Sequence, residues 1–233
     1  ARPLRPALPG VESARVFTLR TVEDTLRLHT FIQSSAPRSA VVVGGGFIGL
    51  EMMENLTHQG IQVTVVEKQR QVMAPIDYDM ACGVHAYLRD KGVALRLDAA
   101  VEGFEETDSS LSVRLEGGER LETDMVVLAL GVVPDTGLAK EAGLTLGGRG
   151  AIVVNDRMET SAPDIYAVGD AVQITHAVTG DPAWVPLAGP ANKQGRIAAD
   201  NISGRDSRFD GSQGTSILRL FDMTAASTGL NEK

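Results

Sequence analysis

Residues 44–49 read Gly44-Gly45-Gly46-Phe47-Ile48-Gly49, which fits the spacing G-x-G-x-x-G. In a dinucleotide-binding turn each of the three glycines has its own task. Gly44 makes the tight turn, Gly46 lets a pyrophosphate come close to the backbone, and Gly49 lets the helix pack against the strand. Glycine-rich turns are common, so the residues around this one must decide whether it binds a nucleotide.

The residues on either side of the turn support that interpretation. Residues 40–43 form a wholly apolar run, typical of a strand buried on both faces of a parallel sheet. Residues 47–59 predict a helix that opens with Phe47 and Ile48, whose free N–H groups and positive dipole end suit phosphates. A second β-branched run at 61–66 predicts the next strand, so the motif lies in a β-α-β unit.

Glu67 closes the second strand, about 20 residues after Gly44, where a ribose-binding carboxylate is expected. A carboxylate accepts a hydrogen bond from a ribose 2′-hydroxyl and repels a 2′-phosphate, which favours NAD over NADP. Lys68 and Arg70 lie just beyond Glu67. They either soften that repulsion or are solvated charges at the strand end. Glu51, in the predicted first turn of the helix, either interacts with the helix dipole or accepts a hydrogen bond from the nicotinamide carboxamide.

The remaining pattern predicts an α/β fold with a doubly wound sheet. Thr21 opens an earlier helix through residue 34, with Asp24 completing an imperfect capping box. Further helices are predicted at 77–91 and at about 191–202. Further strands are predicted at 93–97, 100–105, 111–116, 120–122, 125–130, 151–154, 165–168 and 216–221.

Composition excludes several classes of function. The 233 residues carry 22 basic and 30 acidic side chains, and this net charge of −8 makes nucleic acid an unsuitable main partner. No apolar run reaches the ~20 residues of a membrane helix, and no signal peptide is apparent, so we expect a cytoplasmic protein without a membrane partner. The four histidines lack metal-ligand spacing, so no metal site is expected. Cys82, the single cysteine, is predicted to be buried and structural.

A second motif is Thr160-Ser161-Ala162-Pro163-Asp164-Ile165-Tyr166-Ala167-Val168-Gly169-Asp170. A strand at 165–168 that ends in Gly169 and Asp170 would place a carboxylate where ligands bind in open α/β sheets. This run resembles the second flavin motif of the pyridine nucleotide–disulfide oxidoreductases. Together with 44–50, 129–134 and 187–196 (LAGPANKQGR), the resemblance covers essentially the whole chain. The last segment is similar to coenzyme A–disulfide reductases and to their NADH oxidase and polysulfide reductase relatives.

The resemblance implies a Rossmann-like NAD(P)-binding domain inserted in an FAD-binding domain, with only part of the latter present. Residues 1–18 would be the end of the first FAD segment or a linker, and 19–137 the NAD(P)-binding domain. Residues 138–208 would be the second FAD segment, and 209–233 the start of a dimer-interface domain.

The resemblance also implies roles on the flavin side. Asp170, directly after Gly169, would bind the ribityl chain of FAD. Leu187 and Ala188 would approach the flavin through their backbone. The N-terminus of the helix that follows would face the pyrimidine edge of the flavin, where negative charge develops on reduction. Trp184, in the loop just before, is either a contact of the flavin or a surface residue.

On the nucleotide side, Gly131 would lie against NAD and Glu51 would meet the nicotinamide. The implied enzyme passes a hydride from NAD(P)H, with NADH favoured, to FAD and on to a cysteine and a disulfide-type acceptor such as coenzyme A disulfide. That cysteine is expected ahead of this chain, so no catalytic residue is predicted within it, and the enzyme is expected to be a homodimer. The alternatives are an NADH oxidase or peroxidase of the same superfamily or, for this chain alone, a non-catalytic NAD-binding module.

Overall fold

A computed structural model describes residues 1–232 of the chain. These residues form two compact units. The larger unit comprises residues 3–131 and 218–225, and the smaller unit comprises residues 1–2, 132–217 and those from 226 onward. The division of the chain into FAD, NAD(P) and interface segments stays a prediction, and its last residue, Lys233, lies outside the described residues.

Twelve elements precede residue 131. They are β1 (Arg2–Pro3), β2 (Val16–Phe17), α1 (Val22–Ser35), β3 (Ser39–Val43), α2 (Phe47–His58), β4 (Gln62–Val66), α3 (Tyr78–Asp90), β5 (Ala94–Arg96), β6 (Val101–Glu106), β7 (Leu111–Leu115), β8 (Arg120–Thr123) and β9 (Met125–Leu128).

The core of the larger unit is a five-stranded sheet in the order β2-β9-β3-β4-β5, and every neighbouring pair is parallel. The prediction of an α/β fold is therefore confirmed. β3 lies at the centre because its apolar side chains can be buried on both faces of the sheet. The chain leaves β3 for β4 on one side and returns to β9 on the other, so the carboxyl end of β3 is the switch point where ligands bind in such sheets.

The two faces of this sheet are covered differently. Val42 packs in a cluster with Leu50 and Met53 of α2, whereas Val41 and Val43 pack in a second cluster with residues of the antiparallel sheet β6-β7-β8. α1 begins as predicted, because the Thr21 hydroxyl accepts from the Asp24 N–H and the Asp24 carboxylate accepts in return from the Thr21 N–H.

The smaller unit contains a three-stranded sheet, β11-β12-β13, and one long helix. Two short 3-10 turns, 148–150 and 169–171, precede β11 and β12. A hairpin, β14-β15, follows the long helix, and its residues 218–225 belong to the larger unit, where Leu218 and Leu220 join the core cluster. The elements after residue 131 are β10 (Val132–Val133), α4 (Gly137–Glu141), β11 (Ile152–Val153), β12 (Val172–Thr175), β13 (Pro182–Ala183), α5 (Ala188–Ile202), β14 (Ser216–Leu220) and β15 (Met223–Ser227).

The predicted strand at 165–168 is wrong. Asp164 adopts a left-handed backbone (φ 61°), and the chain folds back on itself there. The Thr160 N–H donates to the Ile165 carbonyl at 2.9 Å, and the Ala167 N–H donates to the Met158 carbonyl at 3.1 Å. These local bonds use the backbone groups that a strand would offer to a sheet, so only a single bridge between Glu159 and Tyr166 remains.

The prediction that Cys82 is buried is also wrong, because Cys82 is exposed. The buried residues of α3 are Ala81, Val84, His85 and Leu88, which recur at helical spacing on one face. Cys82 follows Ala81 by one residue and therefore points away from that face. Within residues 1–232, no helix has both the length and the apolar character needed to cross a membrane.

Candidate functional site

Two of the three motif glycines are required by the fold itself. Gly44 has φ 112°, and a Cβ placed on it would collide with the Ala129 carbonyl oxygen of the neighbouring strand segment. A Cβ on Gly49 would collide with the Gly44 carbonyl oxygen. Backbone atoms cannot move aside as flexible side chains can, so any larger residue at either position would displace α2 from the sheet.

Gly46 differs, because the fold does not require a glycine there. Its φ is −81°, its position is exposed, and a Cβ placed on it would meet no atom within 4 Å. A glycine whose Cβ position is left open by the rest of the chain is what the close approach of a pyrophosphate demands.

The N-terminus of α2 supplies hydrogen-bond donors next to this opening. Gly46 is the N-cap and offers no capping side chain. Phe47 and Ile48 are the first two helical residues, so their N–H groups have no partner within the helix. Free N–H groups and the positive end of the helix dipole together form an anion site, which fits the paired phosphates of a dinucleotide.

Glu67 directly follows β4, as the sequence predicts, and its side chain lies against the turn. One carboxylate oxygen accepts from the Gly45 N–H at 2.7 Å, and the other accepts from the Gln69 N–H at 2.8 Å. An ionised carboxylate offers about four acceptor sites, so about two remain for the hydroxyls of a ribose. Glu67 therefore orders the glycine turn and still has capacity to bind a sugar.

The basic residues after Glu67 are on the surface. Lys68 and Arg70 are both exposed, and the Arg70 guanidinium lies 4.3 Å from the ring centroid of Tyr78 in a cation–π arrangement. Such contacts at exposed sites contribute about 0.5–1 kcal/mol, which is small enough for Arg70 to exchange one partner for another.

Behind the turn lies a support that the sequence analysis missed. The Met73 N–H donates to the Gly45 carbonyl at 2.8 Å, and Val72 packs against Gly45. The Val72 N–H donates in turn to Nε2 of the buried His85 at 3.2 Å. Burial, with a smaller contribution from the charge of Arg89, lowers the pKa of His85 below its ordinary value. The helical spacing of His85 with the apolar residues of α3 was the available signal.

Of the other two residues predicted to contact the nucleotide, Glu51 lies within α2 and Gly131 follows β9. Glu51 is the fifth residue of α2, beyond the first turn, so its predicted interaction with the helix dipole is wrong. It is exposed, which leaves the nicotinamide role as a prediction. Gly131, three residues after β9, is also exposed, with φ 98° and open space where a Cβ would lie. Its carbonyl accepts from the Leu4 N–H at 2.9 Å.

In the smaller unit, the turn at 169–171 is held by two side chains from other elements. The Gly169 N–H donates to the side-chain oxygen of the buried Gln194 at 2.7 Å, and Trp184 Nε1 donates to the Asp170 carbonyl at 2.8 Å. Trp184 is half-buried and packs against the predicted flavin segment, and a contact with the flavin itself stays a prediction. Asp170 precedes β12, so its predicted place at the carboxyl end of a strand is wrong.

The helix predicted from residue 191 begins three residues earlier, with Ala188. Pro190 is the third residue of α5, a position whose N–H has no helical partner, so a proline fits there without breaking the helix. The Leu187 N–H already donates to the Val185 carbonyl at 2.9 Å, whereas Ala188 is exposed at the uncapped end of the helix.

The residues present fit both predicted cofactors. On the nucleotide side, the cradle at Gly46 is open and Glu67 retains acceptor capacity. On the flavin side, the Asp170 carboxylate makes no hydrogen bond or ion pair with any of residues 1–232, and the start of α5 has no side-chain cap. In the part of the chain that the structure describes, no three His, Cys, Asp or Glu side chains are grouped to hold a metal ion.

The chain also matches a known protein-family model. The model described as pyridine nucleotide-disulphide oxidoreductase matches residues 1–195, which is most of the chain. The chain belongs to this family. The resemblance inferred from the motifs is therefore confirmed.

Two curated relatives are similar to this chain over nearly its whole length. The NAD(P)H sulfur oxidoreductase (CoA-dependent) of Pyrococcus abyssi is 36% identical over 233 residues, which are all of this chain and 52% of that protein. The coenzyme A disulfide reductase of Staphylococcus haemolyticus is 32% identical over 222 residues, or 95% of this chain and 50% of that protein. The chain thus spans about half the length of these curated relatives.

A solved structure shows the same likeness in three dimensions. The crystal structure of reduced Bacillus anthracis CoADR-RHD matches with a TM-score of 0.96 and 49% sequence identity, covering 99% of this chain and 42% of that one. The fold, an FAD/NAD(P)-binding fold that is partial relative to such full-length relatives, is as predicted.

Proposed function

We propose that the larger unit binds NAD(P)H, with NADH favoured, at the turn 44–49. The open position at Gly46 is the observation that carries this proposal, because the fold gives no reason of its own for a glycine there. The N–H groups of Phe47 and Ile48 would hold the pyrophosphate, and Glu67 would accept from the ribose hydroxyls. Gly131 would leave room for the nucleotide, and Glu51 would accept from the nicotinamide carboxamide.

In this proposal the smaller unit contributes part of a flavin site. Asp170 would accept from the ribityl hydroxyls of FAD, and its backbone is held for that task through Gly169 and Trp184. Ala188, with Leu187, opens α5, whose N-terminus would stabilise negative charge on a reduced flavin. Bound FAD would supply the relay that accepts a hydride from the nicotinamide and delivers two electrons to a thiol–disulfide pair.

The whole protein would then be a flavin-dependent NAD(P)H oxidoreductase that acts on a disulfide-type acceptor, in the manner of a coenzyme A disulfide reductase. The names of the two curated relatives support a coenzyme A-linked sulfur or disulfide substrate. A homodimer and a cytoplasmic location remain part of the proposal. An NADH oxidase or peroxidase is the alternative, and steady-state assays of the holoenzyme with coenzyme A disulfide, oxygen and peroxide separate the two.

Glu67→Arg tests the nucleotide assignment on this chain. The variant removes the ribose acceptor and adds a cation that attracts a 2′-phosphate, so we expect NADH affinity to fall about tenfold or more, with NADPH bound more tightly than NADH. Isothermal titration with both nucleotides measures the ratio. Glu141→Arg, an exposed glutamate of α4, makes the same change of charge in the smaller unit and is the control.

An unchanged NADH-to-NADPH ratio in Glu67→Arg would contradict the ribose assignment. The flavin half of the proposal has its own readout, because bound FAD absorbs visible light. A purified chain that binds NADH but stays colourless after incubation with FAD would favour the non-catalytic nucleotide-binding module for this chain.

A further inference from the structure

His85 is a buried titratable group that the proposed function does not use. It is 4% exposed and lies on the core face of α3, beneath the segment that leads from β4 to that helix. His85 is not part of the turn 44–49, and its burial separates it from solvent. It acts instead through the backbone segment that it contacts at Val72.

A short chain of contacts connects His85 to the glycine turn. His85 Nε2 accepts from the Val72 N–H at 3.2 Å. A Cβ on Gly45 would lie 2.7 Å from Val72 Cγ1, which shows how closely Val72 fills the space behind the turn. The Met73 N–H and the Gly45 carbonyl are 2.8 Å apart, and the Gly45 N–H reaches Glu67 at 2.7 Å.

The contact at Val72 requires a neutral imidazole. Nε2 accepts the hydrogen bond, which assigns the proton of the neutral ring to Nδ1. A protonated ring would turn Nε2 into a donor that faces the Val72 N–H, and a buried amide that loses its acceptor costs about 1–3 kcal/mol. Segment 71–73 would then move, and with it the wall behind Gly45.

The surroundings of His85 keep it neutral near pH 7. Val72, whose N–H contacts it, and its neighbours Gln71 and Met73 do not titrate, and the sheet residues clustered with α3 are apolar. On its own helix, Arg89 is the charged side chain that acts on it, and Arg89 disfavours a second positive charge nearby.

We propose that neutral His85 is a positioning residue of the dinucleotide site, which holds segment 71–73 against the glycine turn through the Val72 N–H. Protonation of His85 therefore weakens dinucleotide binding. This inference rests on the proposed nucleotide function of the turn. Since the pKa of His85 lies below the ordinary value of 6.5, binding is strongest above that pH and is lost as the pH falls through the lowered pKa.

The test is the pH profile of NAD⁺ binding, measured by isothermal titration from about pH 5 to about pH 8. For the wild-type chain we expect the dissociation constant to rise, by up to about tenfold per pH unit, once His85 begins to protonate. His85→Gln places a neutral amide oxygen near the Nε2 position, so its profile should be flat. His29→Gln, which replaces an exposed histidine of α1, should keep the wild-type profile.

Amide resonances of the free chain give a second readout that does not depend on the ligand. The NMR shifts of Val72 and Gly45 should follow one common inflection with pH in the wild type, and this inflection should vanish in His85→Gln. A His85→Gln chain that keeps the wild-type slope of NAD⁺ binding would overturn the inference while leaving the nucleotide site intact. Failure of the wild type to bind NAD⁺ even at pH 8 would overturn the proposed function and the inference together.

Discussion

The turn at 44–49 is shaped mainly by close backbone packing, with support from Glu67 and segment 71–73, whereas the turn at 169–171 is held by side chains from other elements. In the first, Gly44 and Gly49 are glycines because backbone atoms of the chain occupy the space where a Cβ would lie. In the second, Gln194 and Trp184 hold the backbone of a turn that has room around it.

This difference explains why the sequence predicts the conformation of the first turn but not that of the second. A turn that depends on closely spaced glycines has a signature of fixed spacing, and such a signature identifies both its conformation and its ligand. A turn that depends on Gln194, 25 residues away from Gly169, has no local signature of its conformation. Its surroundings can be recognised only by resemblance to a family.

The largest expected effect comes from adding one methyl group to each turn. In Gly49→Ala the Cβ meets the Gly44 carbonyl oxygen. We therefore expect the free energy of unfolding to fall by about 3 kcal/mol or more, and NADH binding to be lost. In Gly169→Ala the nearest atom is Ala191 Cβ at 3.9 Å, so only the left-handed backbone (φ 81°) is penalised, by about 1–2 kcal/mol.

Urea unfolding followed by circular dichroism measures both variants. Equal losses at the two glycines would show that the turns are built alike, and the contrast between backbone-shaped and side-chain-held turns would fail.

A smaller effect is expected from removing the hydrogen bond between Gln194 and the turn at 169–171. Gln194→Leu keeps the volume of a 1% exposed side chain but removes the acceptor of the Gly169 N–H, which costs about 1–3 kcal/mol. Gln194→Glu retains an acceptor oxygen and is the comparison variant. Hydrogen exchange at the Gly169 amide should accelerate in Gln194→Leu, and an unchanged exchange rate there would show that Gln194 does not hold the turn.

Much of the larger unit could be predicted from its sequence because its signals are local. The buried strands β3 and β4, the helix between them and the capping box at Thr21 all follow from short-range patterns, and most predicted ends agree with the structure within about two residues. Glu67 could be placed because a carboxylate at a strand end has a fixed relation to the turn.

The failures have different physical causes. The apolar run at 165–168 looks like a strand, yet its backbone bonds to residues 158 and 160 instead. Cys82 is apolar enough to be buried but lies on the wrong face of α3. The support from His85 depends on a backbone contact 13 residues away, which no motif encodes.

In the proposed site Gly46 is a glycine because a dinucleotide must approach it closely, and Gly46→Ala is the direct test of this role. Since a Cβ at Gly46 would meet no atom of the chain, the free energy of unfolding should stay close to that of the wild type. NADH affinity should fall about tenfold or more, because the added methyl group occupies the path of the pyrophosphate.

Gly83→Ala is the matched control, because Gly83 is an exposed glycine of α3 with equally open space at its Cβ position. It should bind NADH like the wild type and gain about 0.5–1 kcal/mol in stability. We expect isothermal titration with NADH to give clearly weaker binding for Gly46→Ala than for Gly83→Ala. A Gly46→Ala chain that folds normally and binds NADH as tightly as Gly83→Ala would rule out this role for Gly46.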